Sequence, residues 1–239
     1  MAFKLIITIL ISYLVGNINP SYIIGRLKGV DIRRQGSGNA GASNATVLFG
    51  KWVGIFSALF DIAKSYLVML IFPLIFEGVP FVAECAGVAV IIGHIFPALM
   101  GFKGGKGLAS LGGLLLAIDA RLFLIMLAAE IVVLLLVNFI CIVPITASIL
   151  IPIAYGVLGS DGLGWLWHAD GGWWGAAIIS IASVIMLWRH RENVARIIKG
   201  KEMHFSYVWM NAEDRQKELI RIGKLEEKHE LDEKLEANA

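Results

Sequence analysis

Residues 122–137 read LFLIMLAAEIVVLLLV, a run in which Glu130 is the one charged side chain. A helix that crosses a bilayer needs about 20 apolar residues, so this run and its flanks predict a membrane-spanning helix. Further apolar runs lie on either side of it, the shortest being 107–118. The others cover residues 1–25, 52–76, 79–100, 139–158 and 173–188. The sequence therefore predicts an all-α, polytopic integral membrane protein with about seven transmembrane helices.

The composition favours a membrane protein over the soluble classes. Of the 239 residues, 57% are hydrophobic and 17% are charged, against about 45–50% and about 25% in soluble domains. The mean hydropathy of +0.74 is too high for one soluble core. It excludes a disordered chain, a collagen and a nucleic-acid-binding protein. Cys85 and Cys141 lie inside apolar runs, so we interpret them as packing residues and expect neither a disulfide nor a metal site.

The basic residues predict the orientation of the chain. Segments 26–51, 101–106 and 189–239 hold 18 of the 21 Lys and Arg residues. With seven crossings all three segments lie on one side, which the positive-inside rule makes cytoplasmic. We therefore predict an external N-terminus and a cytoplasmic C-terminal tail. The chain divides into a transmembrane domain, residues 1–206, and a charged cytoplasmic helical extension, residues 207–239.

The first of three polar segments on that side, residues 29–44, reads GVDIRRQGSGNAGASN. Its glycines permit positive φ angles and close backbone approach, so the loop can turn several N–H groups toward an anion. Asn44 and the apolar run after it predict a helix whose N-terminus adds positive potential. A flexible linker is the alternative interpretation. The flanking Arg33 and Arg34 favour anion binding.

The second polar segment, residues 93–110, reads GHIFPALMGFKGGKGLAS. It lacks the first glycine and the Ser or Thr of a Walker A loop. Lys103 and Lys106 nevertheless flank a Gly-Gly turn, and compact ammonium groups beside exposed amides suit phosphate. A signal for membrane orientation explains Lys103 equally well. His94, one turn earlier, is interpreted as a hydrogen-bonded structural residue.

The third segment, residues 189–202, reads RHRENVARIIKGKE and begins where the last apolar run ends. His190 and Asn193 share one helical face, and an imidazole can take a proton from a hydroxyl. An interfacial helix anchored by Arg189 is a compatible interpretation.

Asp61 and Lys64 are charged residues within an apolar run, spaced i, i+3. Charges inside a membrane are costly when unpaired. Their spacing predicts a pair with a structural or pocket-lining role.

Together these segments resemble the acyl-phosphate:glycerol-3-phosphate acyltransferases of bacterial membranes, the PlsY type. The resemblance rests on GSGNAGASN at 36–44, GHIFP and FKGGKG at 93–97 and 102–107, and HRENVARIIKGKE at 190–202. It implies transfer of an acyl chain from acyl phosphate to the 1-hydroxyl of glycerol 3-phosphate, giving lysophosphatidic acid and phosphate in phospholipid biosynthesis. It also implies a multi-pass protein of the bacterial inner membrane with its active site facing the cytoplasm. No metal or other cofactor is expected, and the partners are the two substrates and the lipid bilayer.

Carried over by position, the resemblance gives catalytic roles to Ser37, Lys106, His190 and Asn193. It gives substrate-binding roles to Gly38, Asn39, Gly41, Asn44, Lys103, Gly104 and Gly105. The family usually has an arginine three residues after the asparagine matched by Asn44, where this chain has Val47. That phosphate contact is therefore missing or supplied by a neighbour such as Arg33 or Arg34.

The extension after about Ser206, which shorter family members lack, carries Leu219, Ile222 and Leu225 at helical spacing. This pattern predicts an amphipathic helix or a short self-association segment. For the whole chain, the competing function is a transporter or channel for a phosphorylated solute, using the same basic loops. The clustering of the polar motifs on one face, away from the bilayer midplane, favours the enzyme.

Overall fold

The computed structural model describes residues 1–160 and 172–223. Within these ranges the chain forms α-helices and short 3-10 turns and contains no β-strand. The α-helices are α1 (Ala2–Asn17), α2 (Pro20–Leu27), α3 (Ala42–Phe49), α4 (Lys51–Ile75), α5 (Val82–Ile95), α6 (Leu108–Ile118), α7 (Ala120–Val137), α8 (Ile142–Ser160), α9 (Gly172–Arg189), α10 (Arg191–Ile198) and α11 (Ala212–Arg221).

The helices follow the apolar runs of the sequence. Six helical stretches of the described chain are long and apolar enough to cross a membrane, and α6 is a shorter apolar helix among them. The predicted all-helical membrane fold is confirmed. A complete crossing by α6, which has 11 residues, stays a prediction because a bilayer requires about 20.

The first run differs from its prediction because it forms two helices. Asn19 caps α2 by accepting a backbone N–H of the first turn, and Pro20 occupies the first helical position, where its missing N–H costs no hydrogen bond. The break leaves carbonyl groups at the end of α1 without helical partners. Lys64 of α4 supplies two of these partners, since its Nζ donates to the carbonyl oxygens of Gly16 at 3.1 Å and Ile18 at 2.9 Å.

Lys64 belongs to a buried ionic cluster between α4 and α5. Its Nζ lies 2.6 Å from Asp61 Oδ1, which confirms the predicted pairing. His94 Nδ1 of α5 lies 3.2 Å from the same carboxylate oxygen. All three side chains are 5% exposed or less. Because each charge has a partner, the cluster can sit in the apolar interior and fix the helices around it.

Helix α5 is the centre of the bundle and packs against α1, α4, α6 and α9. Small residues let its backbone approach α1 closely. A Cβ added to Gly93 would lie 2.2 Å from the carbonyl oxygen of Tyr13, and one added to Gly16 would lie 2.3 Å from that of Val90. Such backbone contact is how membrane helices pack without a hydrophobic driving force between them. It fixes the position of the loop that follows α5.

The beginning of the C-terminal extension packs back onto the body of the protein. A helix, α11, forms within the predicted extension 207–239. Glu218 on this helix and Ile222 directly after it are buried. The predicted apolar position Leu225 lies outside the described residues. The contacts that hold α11 start before residue 207, so the structure shows continuous packing across the predicted boundary.

Candidate active site

Asn44 organises the first polar loop from inside. Its side chain is 3% exposed. Its Nδ2 lies 3.0–3.1 Å from the carbonyl oxygens of Ile32, Gln35 and Asn39, and its Oδ1 accepts the N–H of Ser37 at 3.0 Å. Both the amide nitrogen and the amide oxygen of Asn44 therefore have partners within the loop. Asn44 lies beneath the loop and holds its backbone in place.

The exposed part of this loop leads into the N-terminus of α3. Gly36 and Gly38 adopt φ angles of +60° and +69°, which glycine reaches without strain. Ser37 between them is exposed. The helix begins at Ala42, two residues before the predicted start at Asn44, and no side chain caps it. Its first N–H groups lack helical acceptors and can receive an anion.

Asn39 and Gly41 lie between the exposed tip and α3, and both are half-buried. A Cβ on Gly41 would lie 2.8 Å from Asn39 Nδ2, so this position requires glycine unless Asn39 moves. Asn39 Oδ1 is buried and has no hydrogen-bond partner among the described residues. Asn19 anchors the same segment by donating to the carbonyl oxygen of Ala40 at 2.8 Å.

Arg33 joins the first polar loop to the second. Its Nε and Nη2 donate to the Asp31 carboxylate at 2.9 and 2.7 Å, and its Nη1 donates to the carbonyl oxygen of Met100 at 2.5 Å. The guanidinium lies 4.7 Å from the ring centroid of Tyr22 and holds the pKa of Asp31 well below its usual value. Arg33 is therefore engaged in structure. Arg34 is exposed, with no ion pair in the part of the chain that the structure describes.

The second loop folds back on the end of α5. The N–H groups of Gly104 and Gly105 donate to the carbonyl oxygens of Ile95 and His94, both at 3.1 Å. The prediction that these amides are exposed to phosphate is therefore wrong. Glycine is required here for packing, because a Cβ on Gly105 would lie 2.0 Å from His94 Nε2. Lys103 extends from this loop into solvent.

Lys106 connects the second motif to the third. Its Nζ donates to Asn193 Oδ1, and Asn193 Nδ2 donates to Glu202 Oε1 at 2.7 Å. Arg196 Nε donates to the other carboxylate oxygen of Glu202 at 2.6 Å. Burial, followed by the positive charge of Arg196, lowers the pKa of Lys106. The network thus orients the ammonium group of Lys106, and Asn193 is the residue that accepts its hydrogen bond.

His190 is buried beside this network and is held in one tautomer. Its Nδ1 lies 2.8 Å from the carbonyl oxygen of Met186, and since a carbonyl only accepts, Nδ1 carries the proton. Burial lowers the pKa of His190 to about 4, so the imidazole is neutral at pH 7. Its Nε2 therefore presents a lone pair, and no protein group in the described ranges donates to it.

Two residues that shape the site had no predicted role. Glu202 holds Asn193 and Arg196, and Asn19 holds the first loop. The sequence feature that could have pointed to Glu202 is the nearby Gly200. Its φ of +67° turns the chain back toward α10. Asn19 lies in a polar interruption of the first apolar run. In neither case does spacing along the chain reveal the partner.

Comparison with known proteins decides which family this site belongs to. A family model described as glycerol-3-phosphate acyltransferase matches residues 6–200. The chain belongs to this family. The glycerol-3-phosphate acyltransferase of Aquifex aeolicus is 31% identical over 205 residues, covering 84% of this chain and 100% of the relative. That of Exiguobacterium sibiricum is 35% identical over 211 residues, covering 87% and 95%.

Solved structures of the same family share the fold. PlsY, an integral membrane glycerol 3-phosphate acyltransferase, has been crystallised in a glycerol 3-phosphate form and a lysophosphatidic acid form. The first matches with a TM-score of 0.74 and 30% identity over 85% of this chain and 96% of PlsY. The second gives 0.71 and 29%, over 84% and 94%. The family match at residues 6–200 thus covers the helical bundle, the first two motifs and the third motif as far as Gly200.

The position at which this family usually has arginine is open to solvent. Val47 lies on α3 and is 77% exposed. Among the residues that the structure describes, no group of three His, Cys, Asp or Glu side chains is placed to hold a metal ion.

Proposed function

We propose that this protein transfers an acyl chain from acyl phosphate to the 1-hydroxyl of glycerol 3-phosphate, releasing lysophosphatidic acid and phosphate. The observation that carries the proposal is the contact of Lys106 with Asn193 beside a neutral His190, in a chain of the glycerol-3-phosphate acyltransferase family. The glycerol 3-phosphate and lysophosphatidic acid forms of PlsY support the acceptor and the product.

The two substrates each carry phosphate, and the site offers two places for it. One is the N-terminal turn of α3 with Ser37, where no side chain caps the first N–H groups; the exposed Arg34 belongs to the loop that leads into this turn. The other is the ammonium of Lys106. Charge-assisted hydrogen bonds at both places would hold the hydroxyl near the acyl carbonyl, and positioning of this kind lowers the barrier by several kcal/mol.

Acyl phosphate is an activated donor, so the protein has little covalent chemistry to supply. The hydroxyl oxygen bonds to the acyl carbon, the bond from that carbon to the phosphate oxygen breaks, and the hydroxyl proton must leave. His190 Nε2 can accept a hydrogen bond from the hydroxyl, but a pKa of about 4 makes it a weak base. Phosphate titrates near pH 6, so we assign the proton to the departing phosphate and hydroxyl orientation to His190.

The orientation of the protein follows from its basic loops. We place the three motifs on the cytoplasmic side of a bacterial inner membrane and the N-terminus outside, because 18 of 21 Lys and Arg residues then lie inside. Glycerol 3-phosphate reaches such a site from the cytoplasm, and the acyl chain remains in the lipid.

The residue that replaces the family arginine is Arg34 in this proposal. Arg33 is held by Asp31 and Met100, so it cannot reach a substrate without breaking the link between the two loops. Arg34 follows it on the same turn and is exposed. Its guanidinium can supply the phosphate contact that Val47 lacks.

The test is turnover by the purified full-length protein in detergent. Synthetic acyl phosphate and labelled glycerol 3-phosphate should give lysophosphatidic acid and phosphate in equal amounts. A thioester donor at the same concentration should give far less product. No lysophosphatidic acid, under conditions where PlsY turns over, would refute the proposal. Uptake of glycerol 3-phosphate into vesicles without an acyl donor would instead favour a transporter.

A further inference from the structure

The chain beyond Glu202 docks on the turn between α7 and α8. Phe205 donates its N–H to the carbonyl oxygen of Asn138 at 2.7 Å. The Asn138 side chain exchanges two hydrogen bonds with Ser206, at 2.8 and 3.0 Å. The ring of His204 stacks on Phe139 with centroids 5.0 Å apart. The segment that leads into the extension is thus tied to the body by both backbone and side chains.

Helix α11 then returns Arg221 to the turn that follows α10. Arg221 Nη1 donates to the carbonyl oxygen of Gly200, and Nη2 donates to that of Glu202 at 2.6 Å. The same guanidinium pairs with Glu218 at 2.6 Å, and Glu218 accepts the N–H of His204 at 2.9 Å. The family match ends at residue 200, so α11 is an addition to the family's shared bundle.

The contacts of Arg221 extend to the candidate active site through a series of neighbouring residues. Arg221 holds the backbone of the turn, the turn carries Glu202, and the Glu202 carboxylate holds Asn193. Asn193 in turn accepts the hydrogen bond of Lys106. An extension that lies outside the shared bundle therefore supports the network that orients the Lys106 ammonium.

We propose that Arg221 is a positioning residue of this site, fixing the Gly200–Glu202 turn so that Glu202 and Asn193 hold Lys106. The inference rests on the proposed acyl transfer. An arginine whose guanidinium donates to the carbonyl groups of Gly200 and Glu202 restricts their turn more than a neutral side chain could, since hydrogen bonds to charged groups are roughly twice as strong as neutral ones. Displacement of a catalytic group by 1 Å can cost about 100-fold in rate.

The experiment compares Arg221→Met with Lys217→Met in the full-length protein. Lys217 is the matched control, because it lies on the same helix, is 67% exposed and pairs within α11 with Glu213 and Asp214. We expect Arg221→Met to lower kcat/KM about ten-fold, Arg221→Lys to keep more of the activity, and Lys217→Met to stay within two-fold of the wild type. All rates are measured well below the melting temperature of each variant.

A double-mutant cycle separates positioning from general stability. In a Glu202→Ala background the turn no longer reaches Asn193, so Arg221→Met should cost less than two-fold further. An equal loss in both backgrounds, or no loss in the wild-type background, would overturn the inference.

Hydrogen exchange gives a second readout that does not depend on activity. The backbone amides of residues 190–204 should exchange faster in Arg221→Met than in Lys217→Met. Equal exchange in the two variants would overturn the inference. A wild-type protein that makes no lysophosphatidic acid refutes the proposed function instead. An active wild type with an unaffected Arg221→Met refutes only this inference.

Discussion

Gly105→Ala tests whether the second loop depends on close packing against His94. The added Cβ would lie 2.0 Å from His94 Nε2, 2.8 Å from Cε1 and 2.9 Å from Cδ2. An ordinary contact is at least 3.4 Å, so the loop or the ring must move by about 1.4 Å. His94 resists this movement, because its ring is buried and its Nδ1 lies 3.2 Å from Asp61 Oδ1.

The displacement falls one residue before Lys106, so we expect the loss to be mainly catalytic. A misplacement of about 1 Å can cost about 100-fold, and we expect a fall in kcat/KM of that order for Gly105→Ala. Overpacking costs about 1–3 kcal/mol, which lowers the melting temperature by about 2–12 °C at about 2–4 °C per kcal/mol. Phosphate release and a thermal melt in detergent measure the two effects.

Gly112→Ala is the control for this substitution. Its Cβ would meet Phe123 Cε2 at 3.6 Å and Ile62 Cγ1 at 4.0 Å, which are ordinary contacts, so activity and stability should stay near wild type. A Gly105→Ala protein with wild-type kcat/KM would refute the reasoning. So would an undiminished effect of Gly105→Ala in a His94→Ala background, where the clashing ring is gone.

The other predictions concern charge and protonation. Lys106→Met should lower kcat/KM at least about 100-fold, as loss of one transition-state donor does, whereas Lys103→Met should lose less than ten-fold; similar losses would contradict the assignment of roles. Because Arg34 is proposed to supply the phosphate contact, Val47→Arg should leave kcat/KM for glycerol 3-phosphate near the wild-type value, and a several-fold gain would contradict the assignment to Arg34. The ring protons of His190 should titrate near pH 4 in NMR spectra, because burial lowers its pKa from 6.5 to about 4; a midpoint above 6 would contradict a permanently neutral imidazole. Glu218 has its pKa lowered from 4.5 to about 2, chiefly by its hydrogen bond with Arg221, so its contribution to stability is full above pH 4.5 and is lost as the pH falls toward 2. Thermal melts across that range should therefore fall more for the wild type than for Glu218→Gln.

The helices were predictable because a membrane imposes a simple rule on sequence. A segment in lipid must satisfy its own backbone hydrogen bonds and expose apolar side chains, so long apolar runs become helices. The break in the first run escaped this rule. Asn19 and Pro20 mark it locally, but Lys64 stabilises the open carbonyl groups from a helix that follows much later in the chain.

The candidate site was predictable as a set of residues more than as a set of roles. Residue type and spacing identified Lys106, His190 and Asn193 as candidates, and the structure places these three side chains close together. They could not show that Gly104 and Gly105 use their amides within the protein. A sequence shows which groups a residue carries, and only the fold shows which of them already have partners.

The amino-acid sequence was therefore enough to predict that the protein lies in a membrane and that its apolar runs form helices. The packing of the helices then shows which polar groups of the loops are open to solvent and which already have partners within the protein. It also joined α11 to the motifs through Arg221 and Glu202. The physical reason is that apolar periodicity is a local property of the chain, whereas hydrogen-bond partners in a packed bundle come from segments far apart in sequence.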